Sequence, residues 1–303
     1  MAITAQMVKE LREKTGAGMM DCKKALQEAD GDEQKAIEEL RKKGLSKAAK
    51  KAGRSTSEGL IALEQKGDKT AALVELLCET DFVARNDMFQ DTLKAMAESV
   101  VAAPPACGAD HGVVHQPTDE CWLNHDVGGG KSVADKVKDL IAVLGENMQA
   151  GRYARIEVEG AGIIGSYLHM NSKIGVIVEL KCLKAESADH EEFQALAKDV
   201  AMQIAAASPV CVASAEVPQD LLDRERAIFR DQALTEGKPE NVVEKIVEGR
   251  VNKYFKEICL LDQPFIKDDK KSVSQLIKEV SKTVNDTIEI GRFARLQVGE
   301  DAE

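Results

Sequence analysis

Apolar positions near the start of the chain recur at helical spacing and predict three short helices. Thr4 can cap the first helix, and Asp30-Gly31-Asp32 both ends the second and caps the third. Gly44 is expected to close the third helix, because glycine favours the left-handed backbone of a helix end. The basic, alanine-rich segment Lys47–Arg54 predicts a helical or flexible linker.

The rest of the chain contains an internal repeat. Residues 69–107 recur at 173–211, and residues 131–158 recur at 271–298, where both copies contain Gly-Arg-aromatic-Ala-Arg. The pattern of each copy predicts strand, strand, helix, helix, strand. The first copy has strands near 59–65, 70–78 and 152–159 and helices near 86–102 and 132–149. The second copy has strands near 162–169, 173–182 and 291–298 and helices near 190–207 and 272–286.

Strands beside pairs of helices at this spacing indicate an α+β fold, in which each copy is a small antiparallel sheet with helices on one face. The second copy holds an extra segment, 220–256, whose apolar positions predict a helical hairpin with its turn at Gly237-Lys238-Pro239. The expected domains are a three-helix domain with its linker at 1–54, a core subdomain at 55–160, and a second core subdomain at 161–303 that contains the hairpin.

The net charge is −11 and is unevenly distributed. The first 54 residues hold 13 Lys and Arg against 9 Asp and Glu, so the acidic excess lies in the rest of the chain. A small basic domain on an acidic body argues against general nucleic-acid binding and direct DNA binding, which need a basic face of some size. The basic domain can still meet an acidic protein surface or RNA.

Seven cysteines without a signal peptide indicate free thiols in a reducing compartment, and therefore a cytoplasmic protein. Met1-Ala2-Ile3-Thr4 leads directly into the first helix, which leaves no room for a targeting segment. No apolar run approaches the ~18 residues that suggest a membrane span, so we expect no membrane association.

The end of the predicted strand Thr70–Cys78 carries the most informative side chains. There Glu79-Thr80-Asp81-Phe82-Val83 places a carboxylate beside a large aromatic residue. Phe82 either packs in its own core or is presented to a partner, where its burial would contribute roughly 1.5–3 kcal/mol. The repeat favours presentation, because Lys184–Ser187 replaces Thr80–Val83 in the second copy and the fold therefore does not need an aromatic residue there.

Two other motifs suggest different chemistry. Residues 104–130 contain cysteines and histidines that could ligate Zn²⁺, but they lack the close C-x₂-C pairs of zinc sites and favour a surface loop. Gly130-Lys131-Ser132 is similar to the end of a phosphate-binding loop, but it lacks the earlier glycine and the preceding strand. No His, Cys or Ser has an identifiable base and orienting acid, so nucleophilic catalysis has no support. The candidate zinc ligands are Cys107, His111, His115, Cys121 and His125.

Two long motifs resemble the signature of the translation elongation factor Ts family. One is Glu79-Thr80-Asp81-Phe82-Val83-Ala84-Arg85, and the other is LREKTGAGMMDCKKAL at residues 11–26. The resemblance covers nearly the whole chain in order. It implies that the three-helix N-terminal domain is UBA-like and that the hairpin is a coiled-coil subdomain.

The resemblance also implies a guanine-nucleotide exchange factor for the GTPase elongation factor Tu, acting in translation elongation. Such a factor binds the GDP complex, displaces Mg²⁺ and promotes GDP release so that GTP can bind, without covalent chemistry and without a cofactor of its own. The expected partner is elongation factor Tu, both GDP-bound and nucleotide-free, and the hairpin is expected to support a homodimer or a 2:2 complex.

Individual residues match the family's functional positions. Thr80, Asp81, Phe82 and Val83 match the residues that dislocate Mg²⁺ from the partner GTPase. The residues that match partner contacts are Arg12, Met19, Met20, Lys23, Leu144 and His169.

Other functions remain open at the level of sequence. An adaptor with a UBA-like binding domain on a scaffold would bind partners without exchanging nucleotide. An RNA- or ribosome-binding protein would use the basic domain and would bind with a steep salt dependence. An enzyme would need a catalytic constellation that the sequence does not offer.

Overall fold

The computed structural model describes residues 3–15, 17–106, 114–116 and 120–300. The chain begins with three helices: α1 (Ala5–Thr15), α2 (Met19–Glu28) and α3 (Glu33–Lys51). They enclose a small apolar core that includes Leu11 and Leu26. The Asp32 side chain accepts a hydrogen bond from the Lys35 main-chain N and so caps α3, as predicted.

Helix α3 does not end at Gly44, so that prediction is wrong. The helix continues to Lys51, and Gly44 lies inside it. A Cβ atom at Gly44 would lie 2.9 Å from the Cβ of Ala142. Gly44 is therefore the point of close approach between the N-terminal helices and the body, rather than a helix end.

The first copy of the repeat forms a three-stranded antiparallel sheet in the order β1-β2-β3. Its helices cover an apolar core that includes Phe89 and Trp122. The elements in chain order are β1 (Glu58–Lys66), β2 (Thr70–Cys78), α4 (Asp81–Ala84), α5 (Asp87–Ala102), α6 (Glu120–Leu123), α7 (Val133–Leu144) and β3 (Met148–Glu157).

The predicted boundary between the last helix and the last strand of the first copy is wrong. The helix was predicted to run to 149 and the strand to begin at 152, but both boundaries lie earlier in the chain. Helix α7 ends at Leu144, because Gly145 takes the left-handed conformation (φ 83°) that stops a helix. Strand β3 then begins at Met148, which pairs with Cys78 at the end of β2.

The second copy repeats this arrangement, with a sheet in the order β4-β5-β8. A short two-stranded sheet, β6 with β7, was not predicted. The elements in chain order are β4 (Gly162–Leu168), β5 (Ile174–Cys182), α8 (Glu191–Ala207), α9 (Gln219–Thr235), α10 (Glu240–Ile258), β6 (Pro264–Phe265), β7 (Asp268–Ser272), α11 (Val273–Thr283) and β8 (Ile288–Gln297).

Helices α9 and α10 lie where the hairpin was predicted. The turn between them contains Gly237 with φ 74°. Arg250 in α10 pairs with Glu236 at the end of α9, at 2.7 Å. The two helices and the residues that flank them share an apolar cluster, formed by Val217, Leu222, Ala233, Val243, Val247, Val251 and Cys259.

The two sheets pack against each other through an apolar cluster to which both contribute, including Ile61, Leu73 and Ile177. Two arginines add reciprocal hydrogen bonds across this contact. Arg152 Nη2 in β3 donates to the Gln297 carbonyl at 2.7 Å, and Arg292 Nη2 in β8 donates to the Glu157 carbonyl at 3.1 Å. The two copies therefore form one continuous body.

Among the residues that the structure describes, no helix combines the length and the apolar character required to cross a membrane.

Candidate functional site

The strand end after β2 presents Phe82 to solvent. Thr80 caps the single turn of α4, and its Oγ1 accepts a hydrogen bond from the Val83 main-chain N at 3.4 Å. Ala84 on the same turn is buried, whereas the Phe82 side chain is 81% exposed. The structure thus places Phe82 outside its own core, as expected for a presented side chain.

Asp81 lies beside Phe82 and is not a free carboxylate. Arg85 Nη2 donates to Asp81 Oδ2 at 2.9 Å, and both side chains are exposed. Val83 is partly buried and packs against the core of the first copy. Arg85 belongs to the motif and was assigned no function from the sequence, although its four-residue spacing from Asp81 on a helical turn is a signal for such a pair.

Glu146 holds Thr80 in place and was not among the predicted site residues. Its carboxylate accepts two hydrogen bonds from Thr80: Oε2 from the main-chain N at 3.0 Å and Oε1 from Oγ1 at 2.7 Å. Leu144, two residues earlier, is half-buried against the core of the first copy at the end of α7. The short loop after α7 therefore joins a predicted partner contact to the Phe82 turn.

His169 lies in the second copy, at the turn between β4 and β5. Its Nδ1 is 3.0 Å from the Tyr167 hydroxyl, and the two rings pack at a tilted angle. Met170 follows and is 96% exposed. The histidine is half-buried and satisfied by a neighbour, while an apolar side chain beside it faces solvent.

The turn that carries His169 contacts the first copy near the Phe82 end of its sheet. The Ile61 main-chain N in β1 donates to the Ser172 carbonyl at 2.7 Å. Lys173 Nζ pairs with Glu58 at 2.6 Å. Glu58 is the register partner of Cys78, the last residue of β2. The fold therefore brings the predicted sites of both copies to the same end of the first sheet.

The predicted contacts on the N-terminal helices are all exposed. Met19 is 58% and Met20 is 74% exposed at the start of α2, and Arg12 and Lys23 lie on the outer surface of α1 and α2. These residues belong to a separate helical unit, and α3 connects that unit to the body.

The contact between α3 and α7 links this unit to the Phe82 turn. Lys51 Nζ at the end of α3 donates to the Gly145 carbonyl. Gly145 directly precedes Glu146, which holds Thr80. The loop at the end of α7 thus connects the N-terminal helices to the Phe82 turn.

The candidate zinc ligands do not converge on a metal site in the part of the chain that the structure describes. Cys107 and His111 lie outside the described residues. His115 stacks on Tyr153 with ring centroids 4.6 Å apart, and Cys121 is disulfide-bonded. Within the described ranges, no group of three or more His, Cys, Asp or Glu side chains is arranged to hold a metal.

His125 is the remaining histidine of that segment. It lies beside Trp122, and burial lowers its pKa below the usual value.

The expectation of seven free thiols is wrong for Cys121. The cysteines that are free in the described part of the chain are Cys22, Cys78, Cys182, Cys211 and Cys259.

The residues of the phosphate-loop motif serve local structure. The Ser132 hydroxyl caps α7 by accepting from the Asp135 main-chain N at 3.2 Å. Lys131 Nζ pairs with Asp139 at 2.5 Å. Gly130 adopts φ 69° in the turn that precedes the helix. These contacts account for the motif as a helix start.

The fold and the site define a duplicated α+β protein that presents an exposed aromatic residue on a turn held by hydrogen bonds to Glu146. The sequence model of the family described as Elongation factor TS matches residues 79–300. The chain is 53% identical over 303 residues to Elongation factor Ts of Nitratidesulfovibrio vulgaris (strain DP4), covering 100% of this chain and 98% of that protein.

Two further relatives give the same result. Elongation factor Ts of Desulfovibrio desulfuricans (strain ATCC 27774 / DSM 6949 / MB) is 50% identical over 302 residues, covering 99% of each chain. Elongation factor Ts of Lawsonia intracellularis (strain PHE/MN1-00) is 48% identical over 304 residues, covering 99% of this chain and 100% of that protein. The chain belongs to the elongation factor Ts family.

Proposed function

We propose that this chain is a guanine-nucleotide exchange factor for the GTPase elongation factor Tu. It binds the GDP complex, displaces Mg²⁺ and promotes GDP release so that GTP can bind. The observation that carries the proposal is the 81% exposure of Phe82 on a capped turn that ends a buried strand. Membership of the elongation factor Ts family supports it.

Phe82 supplies the binding energy of the proposed step. Burying a phenylalanine side chain in a partner contributes roughly 1.5–3 kcal/mol. Mg²⁺ requires near-ideal octahedral oxygen coordination, so a side chain that moves a ligand-bearing element weakens both metal and nucleotide binding. By linkage, the factor must bind the nucleotide-free GTPase most tightly, and nucleotide must weaken that complex to the same degree.

Asp81 contributes a carboxylate beside the displaced ion. Its ion pair with Arg85 is exposed on both sides. Such pairs contribute only about 0–1 kcal/mol, so little free energy is lost when Asp81 exchanges Arg85 for a partner group. Thr80 and Val83 set the direction of the turn, one as its cap and the other as its anchor in the core.

The other matched residues form the rest of the proposed interface. The N-terminal residues contact the GTPase through a UBA-like domain at 1–54, and the body divides into core subdomains at 55–160 and 161–303. The hairpin acts as a coiled coil that supports a homodimer or a 2:2 complex. The protein acts in the cytoplasm, without covalent chemistry. The contact residues are Arg12, Met19, Met20, Lys23, Leu144 and His169.

Release of labelled GDP from elongation factor Tu tests the proposal. The chain at sub-stoichiometric concentration is expected to accelerate release, because an exchange factor turns over. Tight binding with unchanged GDP release would instead support a non-catalytic adaptor. Binding that depends on RNA and falls steeply with salt would support a nucleic-acid role.

A second experiment tests the metal step. GDP release is measured with Mg²⁺ present and with Mg²⁺ chelated, for the wild-type chain and for Phe82→Ala. The difference in GDP release rate between wild type and Phe82→Ala is expected to shrink when Mg²⁺ is chelated. The step that Phe82 is proposed to assist, displacement of Mg²⁺, is then already complete. An equal defect in both conditions would contradict Mg²⁺ displacement as the role of Phe82.

A further inference from the structure

The hydroxyl of Thr80 takes part in two hydrogen bonds at once. It donates its single proton to Glu146 Oε1 at 2.7 Å, and it accepts from the Val83 main-chain N at 3.4 Å. Because a hydroxyl that donates to a carboxylate becomes a better acceptor, the bond to Glu146 strengthens the cap of α4. That cap fixes the turn on which Phe82 projects.

The loop that carries Glu146 is itself held on several sides. Asn147 is buried, its main-chain N donates to the Glu79 carboxylate, and its Nδ2 donates to the Arg54 carbonyl at 2.7 Å. Gly145 before it closes α7 and accepts from Lys51. These hydrogen bonds fix the main chain on both sides of Glu146.

The second copy provides a comparison for this arrangement. Asp286 follows the left-handed Asn285 (φ 52°), as Glu146 follows Gly145. Asp286 Oδ2 accepts from the Lys184 main-chain N at 2.9 Å, at the repeat position of Thr80. The 3₁₀ turn that follows Lys184 has no side-chain cap.

The comparison separates two roles of the carboxylate. The bond to a main-chain N at the strand end occurs in both copies and therefore belongs to the fold. The carboxylate also bonds a hydroxyl in each copy, but the hydroxyl differs. In the first copy it is Thr80 Oγ1, which caps the turn that carries Phe82. In the second copy Asp286 bonds the Ser187 hydroxyl, and the turn after Lys184 has no side-chain cap. The bond to a capping hydroxyl thus accompanies Phe82 rather than the sheet.

We infer that Glu146 is a positioning residue for the exchange step, acting through the Thr80 hydroxyl to hold Phe82 in the orientation that enters the partner. The inference rests on the proposed function. A turn without this support still carries Phe82, but the side chain must be ordered when it enters the partner. Loss of Glu146 is therefore expected to slow GDP release from the complex with the GTPase more than it weakens the affinity of the chain for the GTPase.

The test compares Glu146→Ala with Asp286→Ala, which removes the equivalent carboxylate from the second copy. GDP release from elongation factor Tu is measured over a range of factor concentrations, giving a maximal rate and a half-saturating concentration. Glu146→Ala is expected to lower the maximal rate about tenfold, the effect of losing one hydrogen bond to a charged group. Asp286→Ala is expected to keep the wild-type maximal rate.

Thr80→Val provides a second variant, which keeps the main-chain bond and removes the hydroxyl. The double variant Glu146→Ala/Thr80→Val is expected to be no slower than Thr80→Val alone, because Glu146 acts through the hydroxyl that Thr80→Val has already removed. Hydrogen exchange at the main-chain N of Val83 and Ala84 is expected to accelerate in Glu146→Ala.

The possible results separate the two proposals. Equal maximal rates for Glu146→Ala and Asp286→Ala, or multiplicative defects in the double variant, would overturn the positioning role while the wild-type chain still accelerates release. A wild-type chain that does not accelerate release would overturn the proposed function, and the inference with it.

Discussion

Gly151 lies so close to Glu75 that a Cβ atom on the glycine would be 2.5 Å from Glu75 Oε2. The Glu75 carboxylate instead accepts three hydrogen bonds from Arg152, from its main-chain N, its Nε and its Nη2. The register of β2 and β3 shifts at this point. Gly291 and Glu179 stand in the same relationship in the second copy, so the repeated Gly-Arg sequence forms a bulge around a buried carboxylate.

Gly151→Ala is therefore expected to destabilise the protein by about 1–3 kcal/mol, because a methyl group has no space beside a buried ion pair. Urea unfolding followed by circular dichroism measures the loss. Gly249→Ala is the matched control. Gly249 lies inside α10 with no atom within 4 Å of an added Cβ, so this variant is expected to gain up to about 1 kcal/mol. Equal stabilities for the two variants would contradict the steric explanation.

The repeat made much of the fold predictable from sequence. Apolar runs such as Thr70–Cys78 and the helical periods of 220–256 depend on local pattern alone, and both were placed correctly. The boundary at Gly145 was missed because helix α7 and strand β3 are both apolar and only three residues separate them. Strand β7 was missed because Asp268–Ser272 has no apolar alternation and is formed by pairing with β6.

One feature of the candidate site, the exposure of Phe82, was predictable because the two copies differ there. The exposure of Phe82 followed from its absence in the second copy, a comparison within one chain. Glu146 was not found, because its contact with Thr80 joins positions 66 residues apart and no local pattern reports such pairs. Gly44 was wrongly predicted to end a helix, since a glycine that permits close helix packing looks the same in sequence as one that stops a helix.

Phe82→Ala is expected to reduce stimulated GDP release about 10- to 100-fold, the loss expected when the burial of one aromatic side chain is removed. Its stability is expected to stay within about 0.5 kcal/mol of wild type, because the side chain is exposed in the free protein. Leu183→Ala is the matched control, since Leu183 is an exposed apolar residue at the strand end of the second copy. An unfolded Phe82→Ala chain, or equal exchange defects in both variants, would contradict the assignment.

Replacement of residues 220–256 by a short Gly-Ser linker is expected to leave the body folded. Apart from the flanking residues Val217 and Cys259, the buried apolar residues of the hairpin cluster lie within 220–256, and this cluster is separate from that of the second sheet. The flanking segments remain joined, because the Val210 main-chain N donates to the Ile258 carbonyl at 2.8 Å and the Leu260 main-chain N donates to the Cys211 carbonyl at 3.0 Å.

Circular dichroism of this deletion variant should retain a single cooperative thermal transition with reduced helix signal. Loss of cooperativity would place the hairpin in the folding core. If the hairpin mediates self-association, sedimentation velocity should also report a smaller assembly for the variant than for the full chain.

Alkaline pH is expected to destabilise the protein through Cys78. Burial, with the nearby carboxylates of Glu146 and Glu58, raises the pKa of this thiol to about 12, whereas a cysteine in an unfolded chain titrates near 8.5. Between these values the unfolded chain has lost a proton that the folded chain keeps. Stability therefore falls as pH rises, by about 1.4 kcal/mol per pH unit for this thiol.

The Cys78→Ala variant isolates this contribution. Its free energy of unfolding in urea should be lower than that of wild type near pH 8, because the variant loses buried packing and the hydrogen bond from Sγ to the Thr80 carbonyl. The gap should then narrow as pH rises above about 9, since the variant has no thiol at this position to ionise on unfolding. A constant gap across this range would mean that Cys78 titrates alike in the folded and unfolded chains, contrary to its burial at the strand end beneath Thr80.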